Sequence, residues 1–141
     1  MAGSGESSWE PSEQFYTHAL TPANLGTLPP PAVQGKAVGS CGDRMELYLE
    51  LDEAGRIKAA RFMPEGCLHT VACGSAVTTL IEGKALEEAA TITPEDVEQA
   101  LGGLPRDHRH CAVLAVTALR SALRRRAEDA RQPWKALYRR R

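Results

Sequence analysis

A change in the spacing of apolar residues near the middle of the chain sets narrow limits on its fold. Between residues 44 and 51 apolar and polar side chains alternate, and Met45, Leu47, Leu49 and Leu51 form the apolar set. This period of two predicts a β-strand with one face in the core. After residues 64–66 the apolar positions follow the helical spacing i, i+3, i+4. Strands followed by helices predict an α+β fold, with helices covering one face of a small antiparallel sheet.

Turn and capping signals place the other elements. The residues at 52–55 form a turn, so the strands at 45–51 and 57–63 are expected to pair as a hairpin. A shorter strand is expected at 36–39, after a Pro- and Gly-rich loop at 22–35. Helices are expected at 13–20, from 68 to Gly83, from the capping residue Thr93 to Gly102, and from about residue 108 along an apolar stripe that includes Leu123.

Length and charge suggest one domain with two different ends. A chain of 141 residues with 43% apolar content suits one compact domain. We expect disorder at residues 1–12, a domain at 13–127 and a basic tail at 128–141. Residues 1–105 contain 6 Lys and Arg against 15 Asp and Glu, whereas residues 106–141 contain 11 against 3. The basic end indicates an acidic protein partner, and an aromatic content of 5% disfavours nucleic acid.

The cysteines and the N-terminal sequence bear on the compartment. No stretch approaches the roughly 18 consecutive apolar residues of a membrane span, and the first residues lack a basic and an apolar signal region. A cytoplasmic location is therefore expected. Cysteines at 41, 67, 73 and 111 would suit two disulfides in a secreted domain. Without a signal sequence, reduced thiols used for metal or sulfur chemistry are favoured.

Three of the cysteines lie at the edges of expected elements. Cys41 precedes the alternating strand, while Cys67 and Cys111 lie near helix starts, where the helix dipole favours a thiolate. Asp43 and His110 add an oxygen and a nitrogen donor nearby in sequence. The spacing alone is a weak signal, because no CxxC pair is present and the gaps are 26 and 44 residues. Three separately buried cysteines, acting as small apolar residues, would explain the pattern about as well.

The residues around the cysteines are more specific than the spacing. Over residues 14–125 the chain resembles the NifU/IscU family of iron–sulfur cluster assembly scaffolds. The matching segments occur in family order: His18, Pro22, Asn24 and Gly26; CGDRMELYLELDEAGRIKAARF at 41–62; GC at 66–67; GKALEEA at 83–89; and LGGLPRDHRHCAVLA at 101–115.

The resemblance implies a fold, a cofactor and a ligand set. The family fold is a three-stranded antiparallel sheet with helices packed on it, and its cysteine-bearing loops meet at one exposed end. By resemblance, Cys41, Cys67 and Cys111 are the scaffold thiols, and Asp43 and His110 are additional ligands. The implied function is assembly and transfer of a labile [2Fe–2S] cluster by a protein that is a carrier and not an enzyme. Three thiolates and one N or O donor hold a cluster less firmly than four thiolates, and the same donors fit Zn²⁺.

The resemblance also implies partners. A cysteine desulfurase would supply sulfur as a persulfide, with Cys111 as the expected acceptor and Cys41 as the second choice. Iron donors, electron donors and apo client proteins would be further partners of a monomer or weak dimer, with no membrane involved. The chaperone-binding Leu-Pro-Pro-Val-Lys segment of many IscU proteins reads Leu-Pro-Arg-Asp-His at 104–108 here. This difference indicates the NifU-like branch and makes chaperone-driven release doubtful.

Two other functions compete with the scaffold. A zinc-bound persulfide acceptor that stimulates a desulfurase would use the same cysteines. A thiol hydrolase using Cys111 and His110 is disfavoured, because adjacent helical residues point about 100° apart. Cys73 lies about 240° around the helix from Cys67 and is expected to be packed in the interior. His69 and His108 are expected to be exposed and outside the ligand set.

Overall fold

The chain folds into a three-stranded antiparallel sheet against which helices pack. A computed structural model describes residues 9–134. In chain order the elements are α1 (Glu13–Leu20), β1 (Val33–Val38), β2 (Arg44–Leu51), β3 (Ile57–Glu65), α2 (Leu68–Ile81), α3 (Leu86–Ala89), α4 (Pro94–Ala100) and α5 (His110–Arg131), with a 3₁₀ turn at Arg106–His108 before α5. The strand order is β1-β2-β3, and both pairings are antiparallel. The predicted α+β fold is therefore confirmed.

The alternating pattern of β2 separates the core from the outer face of the sheet. Met45 and Leu47 are 0% exposed and Leu49 is 1% exposed, while residues 46, 48 and 50 between them are partly exposed. Phe62 pairs with Leu47 in the register and is fully buried as well. Burying such side chains contributes roughly 1.5–3 kcal/mol each, so the alternation alone orients the sheet. Helices α2 and α5 pack against it, α2 mainly on β3 and α5 on β1 and β2.

Strand β1 begins earlier than the sequence predicted. Residues 33–35, assigned to a loop because of their Pro and Gly neighbours, are part of the strand. Gly35 is the reason that the strand fits: a Cβ added there would lie 2.2 Å from the backbone N of Ala122 and 2.4 Å from the carbonyl O of Ala118. A glycine in a strand can mark a close approach of two backbones. The loop prediction for these residues was wrong because this approach involves α5, more than 80 residues away.

The predicted helix signals operate as expected at α4. The Thr93 hydroxyl accepts a hydrogen bond from the N–H of Asp96 at 3.2 Å, and the Asp96 carboxylate accepts one from the N–H of Thr93 at 2.9 Å. Helix α5 continues through residue 128, where the basic tail was predicted to begin, and ends at Arg131. No helix within residues 9–134 is both long and apolar enough to span a bilayer.

The N-terminal segment packs onto the domain. The Trp9 ring meets the ring of Phe15 edge-on at 5.5 Å, and the Ser12 hydroxyl caps α1 by accepting from the N–H of Phe15 at 2.9 Å. For residues 9–12 these contacts replace the predicted disorder. Residues 1–8, and the part of the predicted tail at 135–141, lie outside the described residues.

Candidate functional site

Three segments distant in sequence meet at one end of the sheet. They are the β1–β2 turn, the start of α2 and the start of α5. Between them lies an open cleft of about 570 Å³. The thiol, carboxylate and imidazole side chains that line the cleft belong to Cys41, Asp43, Glu65, Cys67, Asp107, His108 and His110. The convergence expected from the sequence is therefore present, although the roles of these residues remain predictions.

Cys41 lies at the tip of the β1–β2 turn. The turn is closed by hydrogen bonds from the N–H of Gly39 to the carbonyl of Asp43 (2.7 Å) and from the N–H of Gly42 to the carbonyl of Gly39 (3.1 Å). Gly42 has φ +88°, a conformation that favours glycine. The Cys41 thiol is exposed as a result, at the rim of the cleft.

The side chain of Asp43 is buried without a hydrogen bond. It is 9% exposed, and neither carboxylate oxygen has a hydrogen-bond partner among the described residues. Nε2 of His110 lies 3.9 Å from Oδ2. A Cβ at Gly39 would lie 2.2 Å from Oδ1, so a glycine there makes room for the carboxylate. Because an unpaired buried carboxylate is costly, this arrangement fits a group that binds a cation.

Cys67 is the N-cap residue of α2, and its sulfur is surrounded by hydrogen-bonding groups. Sγ lies 3.8 Å from Oγ1 of Thr70, 3.6 Å from Nδ1 of His69 and 3.8 Å from Nδ1 of His108. Burial acts to raise the pKa of Cys67, but hydrogen bonds from Thr70 and from the N–H of His69 outweigh it and lower the pKa below its ordinary value. The Cys67 thiolate is therefore favoured, as expected for a thiol at a helix N-terminus.

Cys111 behaves in the opposite way. It is 0% exposed, and its Sγ lies 3.7 Å from Oγ1 of Thr70 and 3.7 Å from Nε2 of His110. Burial, together with the negative charges of Cys67 and Asp43, raises the pKa of Cys111 to about 11, against a smaller opposing effect of the Thr70 hydroxyl. The expectation that the start of a helix favours a thiolate at Cys111 is therefore wrong, because burial has the larger effect. The Cys111 sulfur is therefore not accessible from solvent in this conformation.

The donor atoms form two overlapping groups. Cys67, His108 and Cys111 have one donor atom each within 4.8 Å of one another, and so do Asp43, His110 and Cys111. Four of the five predicted ligands thus lie in two groups that share Cys111, and the fifth, Cys41, lines the same cleft. Such S/N/O donor sets suit Zn²⁺ and iron.

Cys73 is separate from both groups. It is 0% exposed, and burial raises its pKa well above the ordinary value. Its predicted place in the packed interior is confirmed. A protonated buried thiol of this kind acts as a small apolar side chain.

The sequence analysis missed two histidines. His69 and His108 are half-buried, and their rings are stacked with centroids 3.7 Å apart and planes 8° apart. On its other side, His69 contacts the rings of Phe15 at 5.2 Å and Trp9 at 5.8 Å. The expectation that both histidines are exposed was wrong. The donor-rich run at 108–111 was the available signal, but the stacking partner comes from a different helix.

Comparison with known proteins gives a consistent assignment. Residues 11–130 match the family described as NifU-like N terminal domain. The iron–sulfur cluster assembly scaffold protein IscU 1 of Archaeoglobus fulgidus is 38% identical over 114 residues, which cover 79% of this chain and 73% of that protein. The nitrogen fixation protein NifU of Cereibacter sphaeroides is 45% identical over 106 residues, which cover 74% of this chain and 42% of that protein.

A solved structure agrees at the level of the fold. The N-terminal part of a nitrogen-fixing NifU-like protein from Brucella abortus superposes with a TM-score of 0.64 over 83% of this chain and 94% of that one. Its sequence identity is 16%, so this likeness concerns the fold alone. The matched region spans less than half the length of the Cereibacter protein.

Proposed function

Because the chain belongs to the family of NifU-like N-terminal domains, we propose that it is a scaffold on which an iron–sulfur cluster is assembled before transfer to other proteins. One observation carries the proposal. Three cysteines from distant segments border or underlie one open cleft, next to a buried carboxylate that has no hydrogen-bond partner. The named relatives are assembly scaffolds or nitrogen fixation proteins, which agrees with a role as carrier.

We propose Cys41, Cys67 and Cys111 as the thiolate ligands, with Asp43 or His110 completing the set. Each iron of a [2Fe–2S] unit needs two protein ligands besides its two sulfides, so four positions must be filled. An oxygen or nitrogen donor in place of a fourth thiolate weakens the hold on the cluster. The open cleft gives an acceptor protein access to it, which suits a cargo that has to leave.

Sulfur delivery requires an accessible thiolate. In the proposed step the thiolate attacks the outer sulfur of a persulfide on a cysteine desulfurase, a new S–S bond forms, and the desulfurase cysteine leaves as a thiolate. Cys111 was the first choice from sequence, but it is fully buried, whereas Cys41 is exposed at the tip of its turn. Accessibility therefore favours Cys41 as the first acceptor. Each transferred sulfur then needs two electrons from an external donor to become sulfide.

Anaerobic reconstitution tests the scaffold. The protein is incubated with Fe²⁺, cysteine and a cysteine desulfurase, and absorption, iron and acid-labile sulfide are measured. We expect visible charge-transfer bands and sulfide equal to iron, with both lost in Cys41→Ala. Cys73→Ala is the matched control, because it removes a fully buried thiol that does not line the cleft. Equal cluster formation by Cys41→Ala and the unmodified chain would contradict the ligand set.

A zinc-bound sulfur acceptor is the second candidate. The observation in its favour is that Cys67 and Cys111 belong to close donor groups while Cys41 stays exposed outside them. A metal on the first two thiols would leave Cys41 available to accept sulfur. The reconstitution separates the two functions: a colourless zinc protein that carries persulfide on Cys41 would establish sulfur delivery without cluster assembly.

A further inference from the structure

A buried hydroxyl lies between two of the three proposed ligand sulfurs. Oγ1 of Thr70 is 3.8 Å from Sγ of Cys67 and 3.7 Å from Sγ of Cys111, and Thr70 is 0% exposed. We propose that Thr70 is a positioning residue: its hydroxyl forms hydrogen bonds with these two sulfurs, fixes their positions and so sets how firmly the cargo is held. The inference rests on the proposed function, because it concerns a neighbour of the proposed ligands.

The Thr70 hydroxyl is directed to the sulfurs and not to the backbone of its own helix. A threonine inside a helix can bond the carbonyl of the residue four positions earlier. Thr78 and Thr79 of α2 do so, each with Oγ1 at 2.8 Å from the carbonyl oxygen of Gly74 or Ser75. Over the described part of the chain, the two cysteine sulfurs are the only hydrogen-bond partners of the Thr70 hydroxyl. Its orientation therefore serves the site and not the helix.

The glycine before Cys67 leaves the space that the Thr70 side chain occupies. A Cβ at Gly66 would lie 2.6 Å from Oγ1 of Thr70 and 3.0 Å from its Cβ, so a larger residue would displace the hydroxyl from the sulfurs. Because Thr70 is fully buried, solvent does not compete for its hydroxyl, and hydrogen bonds are stronger in such surroundings than in water. The hydroxyl is thus fixed in place before any cargo arrives.

A hydroxyl has one proton to donate and two lone pairs that accept. In the metal-free protein, Thr70 can accept from the thiol of Cys111 while it donates to the sulfur of Cys67, and this links two segments that are 44 residues apart. Sulfurs bound to iron are thiolates and have no proton, so the hydroxyl can then only donate. A hydrogen bond to such a sulfur withdraws negative charge from it, which favours the reduced form of the cargo.

Three variants test the role of the hydroxyl. Thr70→Val keeps nearly the same shape without the hydroxyl, and Thr70→Ser keeps the hydroxyl. Thr78→Val is the matched control, because Thr78 is equally buried on the same helix but its hydroxyl bonds the carbonyls of Gly74 and Ser75. Cooperative thermal unfolding of each metal-free variant shows that it folds.

The first measurement needs no cargo. Infrared spectra of the metal-free chains record the S–H stretching bands, and the band of Cys111 is identified by its loss in Cys111→Ala. We expect Thr70→Val to shift this band, because the thiol loses an acceptor. Thr70→Ser and Thr78→Val should leave it where it is in the unmodified chain.

The second measurement uses chains loaded by chemical reconstitution with Fe²⁺ and sulfide. We expect Thr70→Val to have a more negative reduction potential and to lose iron to a chelator about tenfold faster than the unmodified chain, because a partner that orients two ligands is missing. Thr70→Ser and Thr78→Val should resemble the unmodified chain in both quantities.

The outcomes separate this inference from the scaffold proposal. If the unmodified chain assembles a cluster and Thr70→Val matches it in potential, iron loss and S–H band, only this inference fails. Equal changes in Thr78→Val would also overturn it, since any buried threonine of α2 would then have the same effect. If no chain holds a cluster but Thr70→Val alone shifts the S–H band, the scaffold proposal fails and the positioning of the sulfurs by Thr70 stands.

Discussion

The two ends of strand β2 each carry an aspartate, and the two carboxylates have opposite surroundings. Asp52, after the strand, is exposed, and its Oδ1 accepts hydrogen bonds from the N–H groups of Ala54 and Arg56, both at 2.9 Å. The Asp43 carboxylate, before the strand, is buried and has no hydrogen-bond partner among the described residues. The first carboxylate organises the turn that holds it. The second carboxylate forms no hydrogen bond that would stabilise the fold.

The comparison shows where the chain gives up stability for binding. A satisfied turn carboxylate contributes about 1 kcal/mol, whereas a buried and unpaired one costs a comparable amount or more. Glycines surround the unpaired carboxylate: a Cβ at Gly39 would lie 2.2 Å from its Oδ1, and one at Gly66 would lie 3.1 Å from its Cβ. Departures from the ordinary rules of folding are expected at functional sites. Of the four predictions below, those on the aspartates and on the glycines test directly whether the two ends differ in this way.

Removing a cleft thiol should have the largest effect. In Cys67→Ala we expect zinc affinity to fall by more than about 100-fold, because loss of a ligand should exceed the 10–100-fold typical of outer-shell partners. Cys73→Ala should bind zinc normally and lose about 1 kcal/mol of stability from the small cavity in the core. Chelator competition and urea unfolding measure the two quantities. Equal affinities in these variants would remove the distinction between cleft and core thiols.

Substitution of the two aspartates should have opposite consequences: one variant should lose metal affinity and the other should lose stability. Asp43→Asn should weaken metal binding by about tenfold or more, while the metal-free protein becomes no less stable, because a buried charge without a partner is removed. Asp52→Ala should cost about 1 kcal/mol through the two lost hydrogen bonds and leave metal binding unchanged. Both variants are measured by zinc titration and by thermal unfolding with and without zinc. Destabilisation of the metal-free protein by Asp43→Asn would mean that the carboxylate is structural.

Substitution of the glycine next to each aspartate should change the same quantity as substitution of that aspartate, but by a smaller amount. Gly39→Ala places a Cβ against the Asp43 carboxylate and should reduce zinc affinity several-fold by displacing it. Gly55→Ala, in the other turn, has open space but φ +82°, so it should cost about 1 kcal/mol of backbone strain without a change in affinity. An unchanged zinc affinity in Gly39→Ala would show that the Asp43 carboxylate can move without loss of binding. The space left by Gly39 would then have no role in binding.

The smallest expected effect is a pH dependence of the free energy of unfolding. It involves His18, which is not part of either end of β2. Nδ1 of the half-buried His18 is 2.7 Å from Oγ of Ser75, a hydroxyl that also accepts from the N–H of Ala23 at 2.9 Å. Burial lowers the pKa of His18 below its usual 6.5. The unfolded chain therefore takes up protons first as the pH falls through about 6.5, and the free energy of unfolding should decrease from pH 7.5 to 5.5.

His18→Asn should reduce that slope. The lowered pKa of His69 has the same sign and remains in both proteins, so the difference between the two slopes isolates His18. Urea unfolding of the metal-free proteins at several pH values measures it. Identical slopes would show that His18 keeps an ordinary pKa in the folded protein.

Much of the fold could be predicted because its signals are local. The alternation of Met45, Leu47 and Leu49 gave the orientation of β2, and the capping box at Thr93 gave the start of α4. The beginning of β1 could not be found in the same way. Gly35 resembles a loop residue until α5 lies against it, and that contact depends on tertiary structure.

The sequence indicated which cysteines belong to the candidate site, but it did not indicate how deeply each is buried or what surrounds it. The positions of Cys41, Cys67 and Cys111 relative to strand and helix starts, with the neighbouring family-like segments, indicated the cleft. Burial could not be derived, so the sequence argument gave Cys111 a stabilised thiolate where the fold gives it a pKa of about 11. The same limitation concealed the stacking of His69 on His108, since those residues approach only after α2 and the 3₁₀ turn have packed.

The convergence of three distant segments on one cleft has a thermodynamic consequence. A metal ion bound there ties the β1–β2 turn, the start of α2 and the start of α5 together, so binding and folding at this end are linked. A free metal concentration about 100 times the dissociation constant would stabilise the native state by about 2.7 kcal/mol. When the bound metal is released, this stabilisation of the native state is lost. Amide hydrogen exchange near residues 39–43, 66–70 and 108–111 should therefore quicken first, while exchange in the rest of the fold stays slow.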